Sequence, residues 1–323
     1  TTGGFTAGCA APHPGRSCHR PEAADSGAAA PYHRARSLKI KGIGMSSDDP
    51  AAIERVEWAQ RGAAWDRQAD RMAALAARLN QPLIEAADLH PGQAVLDLAS
   101  GAGEPALTIA ALVAPDGRVT ATDLVEEMLT GARRRAAAAG LATIAFKIAD
   151  MAALPFADAS FDRITCRFGL MFAPDTEGAL REAWRVLRPG GRAVWMVWGP
   201  IAENTIFLTI DRTLKAMLGT SFLDREINPF RFAAAGHLTL GLRDAGFTEA
   251  QEIDRIFTPK VEAGTPFWRP TLDLMLGHEL ESLPPAQRRA LDQAIGDNFA
   301  PYLDGTHYRL KTHVRLYVGG KRG

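Results

Sequence analysis

No stretch of the 323-residue chain approaches roughly 18 uninterrupted apolar residues, so no transmembrane helix is expected. Cysteine is scarce. Cys9, Cys18 and Cys166 are too few for a disulfide framework and lack the clustering of a structural zinc site. No bound metal is expected, and the reading places the protein in a reducing, cytoplasmic compartment. Excess charge is also missing: 37 basic and 37 acidic side chains cancel, which argues against a nucleic-acid partner that needs a basic surplus. What remains is an ordinary globular composition, long enough for one large domain or two modest ones.

Residues 1–44 stand apart. They carry Arg16, Arg20, Arg34, Arg36, Lys39 and Lys41 against only Glu22 and Asp25, and Gly, Ala and Pro fill 20 of the 44 positions. Such a stretch buries too little apolar surface to offset its ordering entropy and is expected to stay disordered. It reads as an added or upstream-translated extension with a natural start near Met45, and a transit peptide is the alternative. Cys9, His13, Cys18 and His19 lie within it and are not read as a metal site.

From Met45 the pattern becomes regular. Residues 52–79 show apolar side chains three or four apart, the period of one or two helices, continued by Leu83 to Ala87 and ended at Pro91-Gly92. Short apolar strands follow at Ala94–Leu98, Val119–Thr122, Ile144–Ile148, Ile164–Arg167 and Ala193–Trp198. Helical patterns at 104–113, 125–139 and 176–187 separate most of them, and 148–164 reads mostly as loop. This alternation predicts right-handed crossovers and a parallel sheet covered on both faces. Arg188-Pro189-Gly190-Gly191 is a turn into the fifth strand.

The chemistry lies at the strand ends. The first strand runs into Asp97-Leu98-Ala99-Ser100-Gly101-Ala102-Gly103-Glu104-Pro105, where Gly101 and Gly103 permit a tight turn and close approach of a ligand to bare backbone. Asp123 ends the second strand, placed to accept hydrogen bonds from a ribose. Asp150-Met151 follows the third, placed for an adenine amino group. Asp97 discriminates between ligands. A dinucleotide would set its pyrophosphate against this turn and be repelled, whereas the ammonium and positive sulfur of S-adenosylmethionine suit a carboxylate. Asp123→Ala is expected to leave the fold intact, because the side chain lies at a strand end.

The blocks Val95–Pro105, Ala121-Thr122-Asp123 and Thr165-Cys166-Arg167-Phe168-Gly169-Leu170-Met171-Phe172 resemble class I S-adenosylmethionine-dependent methyltransferases. They are most similar to the ubiquinone/menaquinone biosynthesis C-methyltransferase branch, and Leu187–Gly191 resembles that family's turn before strand five. The resemblance implies an α/β, Rossmann-like, doubly wound sheet of seven strands with the last antiparallel, N-terminal helices and C-terminal helical lid insertions. It implies an N-terminal helical segment at 45–90, a cofactor-binding core at 91–200, and lid helices with sheet completion at 201–323. Ala245-Gly246-Phe247 resembles the turn into strand six, and Tyr308–Val318 resembles strand seven. Ala99 replaces a glycine common in the family, and a tighter turn is expected there.

By resemblance, Asp97 lines the methionine end of S-adenosylmethionine and Ala99, Ser100, Gly101 and Gly103 form a backbone cradle. Asp123 holds the ribose, with Leu124 and Met128 against the adenine. Asp150 and Met151 meet the adenine edge, Arg167 and Phe168 lie beneath the sulfonium, and Trp65-Asp66 closes over the site. A ring acceptor benefits from a general base near neutrality, but nothing singles one out among His237, His278, His307 and His313. Ile206–Leu218 and Leu272–Phe299 read as lid helices, with Phe207, Phe222, Phe230, Phe267, Trp268 and Met275 as an acceptor pocket or as lid core. The expected partner is a small, mostly apolar, hydroxylated acceptor (quinol, phenol or polyketide-like) methylated on carbon or oxygen. The competing readings are a catalytically silent scaffold of the same fold and a nicotinamide-dependent oxidoreductase.

Overall fold

The computed structural model describes Thr1 and residues 50–224 and 228–323. The rest of the 1–44 extension, with Cys9, His13, Cys18 and His19, lies outside the described residues. One long helix, α1 (Pro50–Ala87), comes first. The strand–helix alternation then runs β1 (Ala94–Leu98), α2 (Ala106–Val113), β2 (Arg118–Asp123), α3 (Glu126–Ala138), β3 (Ile144–Ile148), β4 (Phe161–Arg167), α4 (Thr176–Val186) and β5 (Leu187–Trp198). The C-terminal part supplies α5 (Thr205–Leu218), α6 (His237–Asp244), β6 (Thr248–Phe257), β7 (Lys260–Glu262), α7 (Arg269–Glu281), α8 (Pro285–Asp297), β8 (Leu303–Asp304), β9 (His307–Arg309) and β10 (Thr312–Gly320).

Seven strands form the main sheet in the order β3-β2-β1-β4-β5-β10-β6. β10, the last in the chain, enters between β5 and β6 and runs antiparallel to both. The fold is therefore the Rossmann-like doubly wound sheet expected. All five residues of β1 are buried, as a strand covered on both faces requires. Alternation along β1 sends Leu96 and Leu98 into the core under α4 and α6, and Val95 into the core beneath α2. Truncating Leu96 to Ala would cost roughly 2–5 kcal/mol. The order reverses between β1 and β4, and doubly wound sheets bind ligands in the crevice beyond such a switch point.

Three expectations need correction. Residues 272–299 form two helices, because Pro284-Pro285 breaks the run: Pro284 disfavours helix at Leu283, and Pro285 opens α8 at its first turn. Tyr308–Val318 is likewise two strands, since β9 pairs with β7 and β8 in a separate small sheet before β10 joins the main one. Arg188–Gly191 loops out of the β4–β5 ladder, whose register jumps from Phe161↔Leu187 to Arg163↔Arg192. Among the described residues no helix is long and apolar enough to cross a membrane.

Candidate functional site

The segment after β1 folds back on the end of β2. Ala99, Gly101 and Gly103 all take positive φ, at 52°, 49° and 105°, which makes the turn tight and leaves a cost at Ala99 that a glycine would not carry. The Ser100 amide donates to the Thr122 carbonyl at 2.8 Å, and the Gly101 amide donates to Asp123 Oδ2 at 2.8 Å. Asp123 Oδ1 accepts from the Leu124 amide at 2.8 Å. Burial outweighs these bonds and pushes the Asp123 carboxyl up to about 6.

Asp97 is fully buried. Its Oδ1 accepts from Thr165 Oγ1 at 2.6 Å, while Oδ2 has no partner among the described residues. Burial pushes this carboxyl up to about 7, against the Thr165 bond. A half-satisfied buried carboxylate is costly without a cationic or hydrogen-bonding ligand nearby. Arg167, at the end of β4, donates to Asn80 Oδ1 at 3.0 Å and leaves its Nε without a partner. Asn80 donates to Glu104 Oε2 at 2.8 Å, and Arg135 donates to Glu104 Oε1 at 2.8 Å. These contacts tie α1, the glycine turn and α3 around one wall.

Asp150 Oδ1 accepts from the Ala152 amide at 2.9 Å, and its Oδ2 lies 3.7 Å from Arg55 on α1. Phe168 holds φ at +59°, an unusual angle for an aromatic residue, and its ring stacks on Trp198 with centroids 4.1 Å apart. Trp198 in turn meets Phe207 at 5.0 Å.

One cavity of about 710 Å³ runs past these groups. Ala99, Ser100, Gly101, Asp123, Leu124, Met128, Asp150, Met151, Arg167 and Phe168 line it, with Trp65 above the turn. Asp97 and Gly103 stand behind the wall. A Cβ on Gly103 would meet Leu107 Cδ1 at 2.1 Å, so the closely packed α2 explains that glycine without a ligand. The cavity continues to Trp198, Phe207, Phe267 and Met275 in the lid. Phe222 and Phe230 do not line it and belong to the core of the C-terminal helices, and Trp268 is half-buried against that core.

The histidines lie elsewhere. His237 is exposed at the start of α6, and His307 bonds the neighbouring Thr306 side chain. His313 is held between Glu203 at 2.6 Å and Asp254 at 2.7 Å. None of these three lines the cavity. His278 falls on α7, and its side chain is outside the described residues. The reading of the sequence missed Glu54, Trp58, Glu104, Arg135, Phe172 and Trp198 as lining residues. Glu54 and Trp58 carry a signal in hindsight: they share one helix face at i, i+4.

Residues 76–208 match the ubiE/COQ5 methyltransferase family. An uncharacterized protein of Mycobacterium tuberculosis is 38% identical over 156 residues, 48% of this chain and 56% of the relative. A demethylmenaquinone methyltransferase of Deinococcus radiodurans is 44% identical over 116 residues, 36% of this chain and 47% of the relative. The ubiquinone/menaquinone biosynthesis C-methyltransferase UbiE of Klebsiella pneumoniae is 40% identical over 122 residues, 37% of this chain and 49% of the relative. The chain thus spans about half the length of the curated relatives it matches. Over residues 76–208, less than half of its length, the chain is similar to the ubiE/COQ5 methyltransferase family.

Proposed function

We propose that the chain is an S-adenosylmethionine-dependent methyltransferase acting on carbon or oxygen of a small, mostly apolar, hydroxylated ring. The continuity of the cavity carries this reading, because one space joins Gly101 and Asp123 to Phe207, Phe267 and Met275. Its volume falls within the range of small-molecule sites, and its far half is mostly apolar.

The residues present fit the cofactor. Gly101 offers a wall with no Cβ, and Asp97 Oδ2 is a buried acceptor without a donor. Ala99, Ser100 and Gly101 would hold the cofactor through backbone, Asp123 its ribose, and Asp150 with Met151 its adenine. Asp97, behind the wall, would act on its ammonium through a bridging water, and Arg167 and Phe168 would line the space around its sulfur. When bound, S-adenosylmethionine supplies a methyl group on a positively charged sulfur. The chain's own contribution is to orient the two reactants and exclude water, which can supply much of the rate. Phe168 and Trp198, stacked on one another, both line the cavity and offer aromatic surface to an acceptor ring.

The names of the relatives, demethylmenaquinone and ubiquinone/menaquinone methyltransferases, favour a quinol within that acceptor class. Incubation with methyl-labelled S-adenosylmethionine and a panel of quinols, phenols, polyketide-like phenols, tRNA and protein tests the reading. Label is expected on an apolar ring product. Label on RNA or protein, with none on the rings, would overturn it.

A further inference from the structure

Five carboxylic side chains line the cavity, and four of them are committed to the fold. Glu104 accepts from Asn80, Thr108 and Arg135. Asp123 accepts from the Gly101 and Leu124 amides, Asp150 from the Ala152 amide, and Asp175 from the Gly178 amide as the cap of α4. Glu54 is different. Its hydrogen-bonding neighbour is Trp58, one turn along the same helix. No His, Cys or Tyr appears among the described residues lining the cavity; of its lysines, Lys311 is paired with Glu203 at 3.3 Å and Lys260 is exposed to solvent on β7.

The surroundings of Glu54 are those of a proton acceptor. Trp58 packs edge-on against Phe172 at 5.2 Å, which makes the local wall aromatic. The charged groups around it are Asp150 beyond β3, Arg55 and Glu57 on α1, and Arg231 before α6. Burial is the main reason that its carboxyl is pushed up to about 8; the Trp58 bond opposes this, and Asp150 and Glu57 add to it. A carboxyl poised near neutrality is efficient in general base catalysis.

We propose that Glu54 is the catalytic base, taking the proton of a ring hydroxyl as the acceptor is methylated. This rests on the methyltransferase reading above. The O–H bond breaks, the proton passes to the Glu54 carboxylate, and the electron pair stays on oxygen. The resulting phenolate would take the methyl as the S–CH3 bond breaks with its electron pair left on sulfur; reaction through oxygen gives the ether, and reaction through the activated ring carbon ends with that carbon's proton passing to water and the ring restored.

The test combines three measurements on the full chain and on Glu54→Gln and Glu54→Asp. The first is the pH–rate profile with a 2-alkyl-1,4-naphthohydroquinone as probe, the second calorimetry with S-adenosylmethionine, and the third a pH titration of tryptophan emission. Glu54→Gln should lower turnover roughly 100-fold or more and lose the acidic limb of the profile, with cofactor affinity kept within about threefold. Glu54→Asp should keep the limb at reduced rate. An emission change near pH 8 should be lost in Glu54→Gln and in Trp58→Phe. Turnover in Glu54→Gln within about fivefold of the parent, or loss of cofactor binding in a folded variant, would overturn the assignment. Absence of the emission change in the parent chain would overturn it too, and needs no acceptor. A parent chain that binds cofactor and methylates no ring strikes instead the methyltransferase reading on which the base depends.

Discussion

Asp123 Oδ2 accepts the Gly101 amide proton at 2.8 Å, so a carboxylate that lines the cavity also closes the turn forming its wall. This changes what Asp123→Ala does. A strand-end position suggested an intact fold, but the side chain is buried and satisfies two backbone amides. The variant should lose roughly 1–3 kcal/mol of stability in urea denaturation. It should also bind S-adenosylmethionine about 2–3 kcal/mol more weakly in calorimetry, because a charged acceptor is gone. Unchanged affinity in a folded variant would displace the ribose from this residue.

Gly101 and Gly103 should fail in different ways. A Cβ on Gly101 comes no closer than 3.7 Å to Met128 or Trp65 but projects into the cavity, so Gly101→Ala should fold at a cost of about 1 kcal/mol and lose cofactor affinity. A Cβ on Gly103 overlaps Leu107 and crowds Ala132, so Gly103→Ala should cost roughly 2–4 kcal/mol. Thermal melts with and without S-adenosylmethionine separate the two effects.

Burial pushes the carboxyl of Asp97 up to about 7 and that of Asp123 up to about 6. In the unfolded chain both ionise near pH 4, so between about pH 4 and 7 the folded protein holds protons that the unfolded chain has released. Stability without ligand should therefore fall as pH rises through that window, and Glu54, pushed up to about 8, carries the fall on toward pH 8. Asp162, Glu182 and Asp254, held below their ordinary range, act in the opposite sense at lower pH. Asp97→Asn keeps an acceptor for Thr165 and should flatten the fall by on the order of 1–2 kcal/mol between pH 5 and 7.5. Denaturation curves for variant and parent that run parallel across this range would contradict the account.

Phe207 and Trp268 should also part. Phe207 lines the cavity beside Trp198, so Phe207→Ala should raise the KM of the acceptor more than that of the cofactor. Trp268 is half-buried and stacks on Phe299 at 5.5 Å, so Trp268→Ala should cost roughly 2–3 kcal/mol of stability. Steady-state kinetics beside denaturation curves distinguish a pocket wall from a core.

The strand-end half of the cavity was legible because its signals are local: strand, glycine turn and carboxylate lie close together in the chain, and crossovers of fixed hand bring the strand ends to one edge. The half lined by Phe207 and Phe267 was harder to read. Phe207 and Trp268 have the same apolar signature, and only the packing of α5, α7 and α8 decides that one faces space and the other faces Phe299. Glu54 was invisible for a related reason. A glutamate on an amphipathic helix reads as solvated, and its burial against Trp58 depends on α1 crossing the sheet edge near Asp150. The split of Tyr308–Val318 into β9 and β10 depends on strand partners far away in sequence.

The cavity beyond β1 and β4 should hold S-adenosylmethionine. Calorimetric titration of the purified chain with S-adenosylmethionine, its demethylated product and NADH tests it most directly. One-to-one binding of the first two is expected, weakened in Asp123→Ala and Gly101→Ala, with no heat from NADH. Binding of NADH with none of S-adenosylmethionine would contradict it.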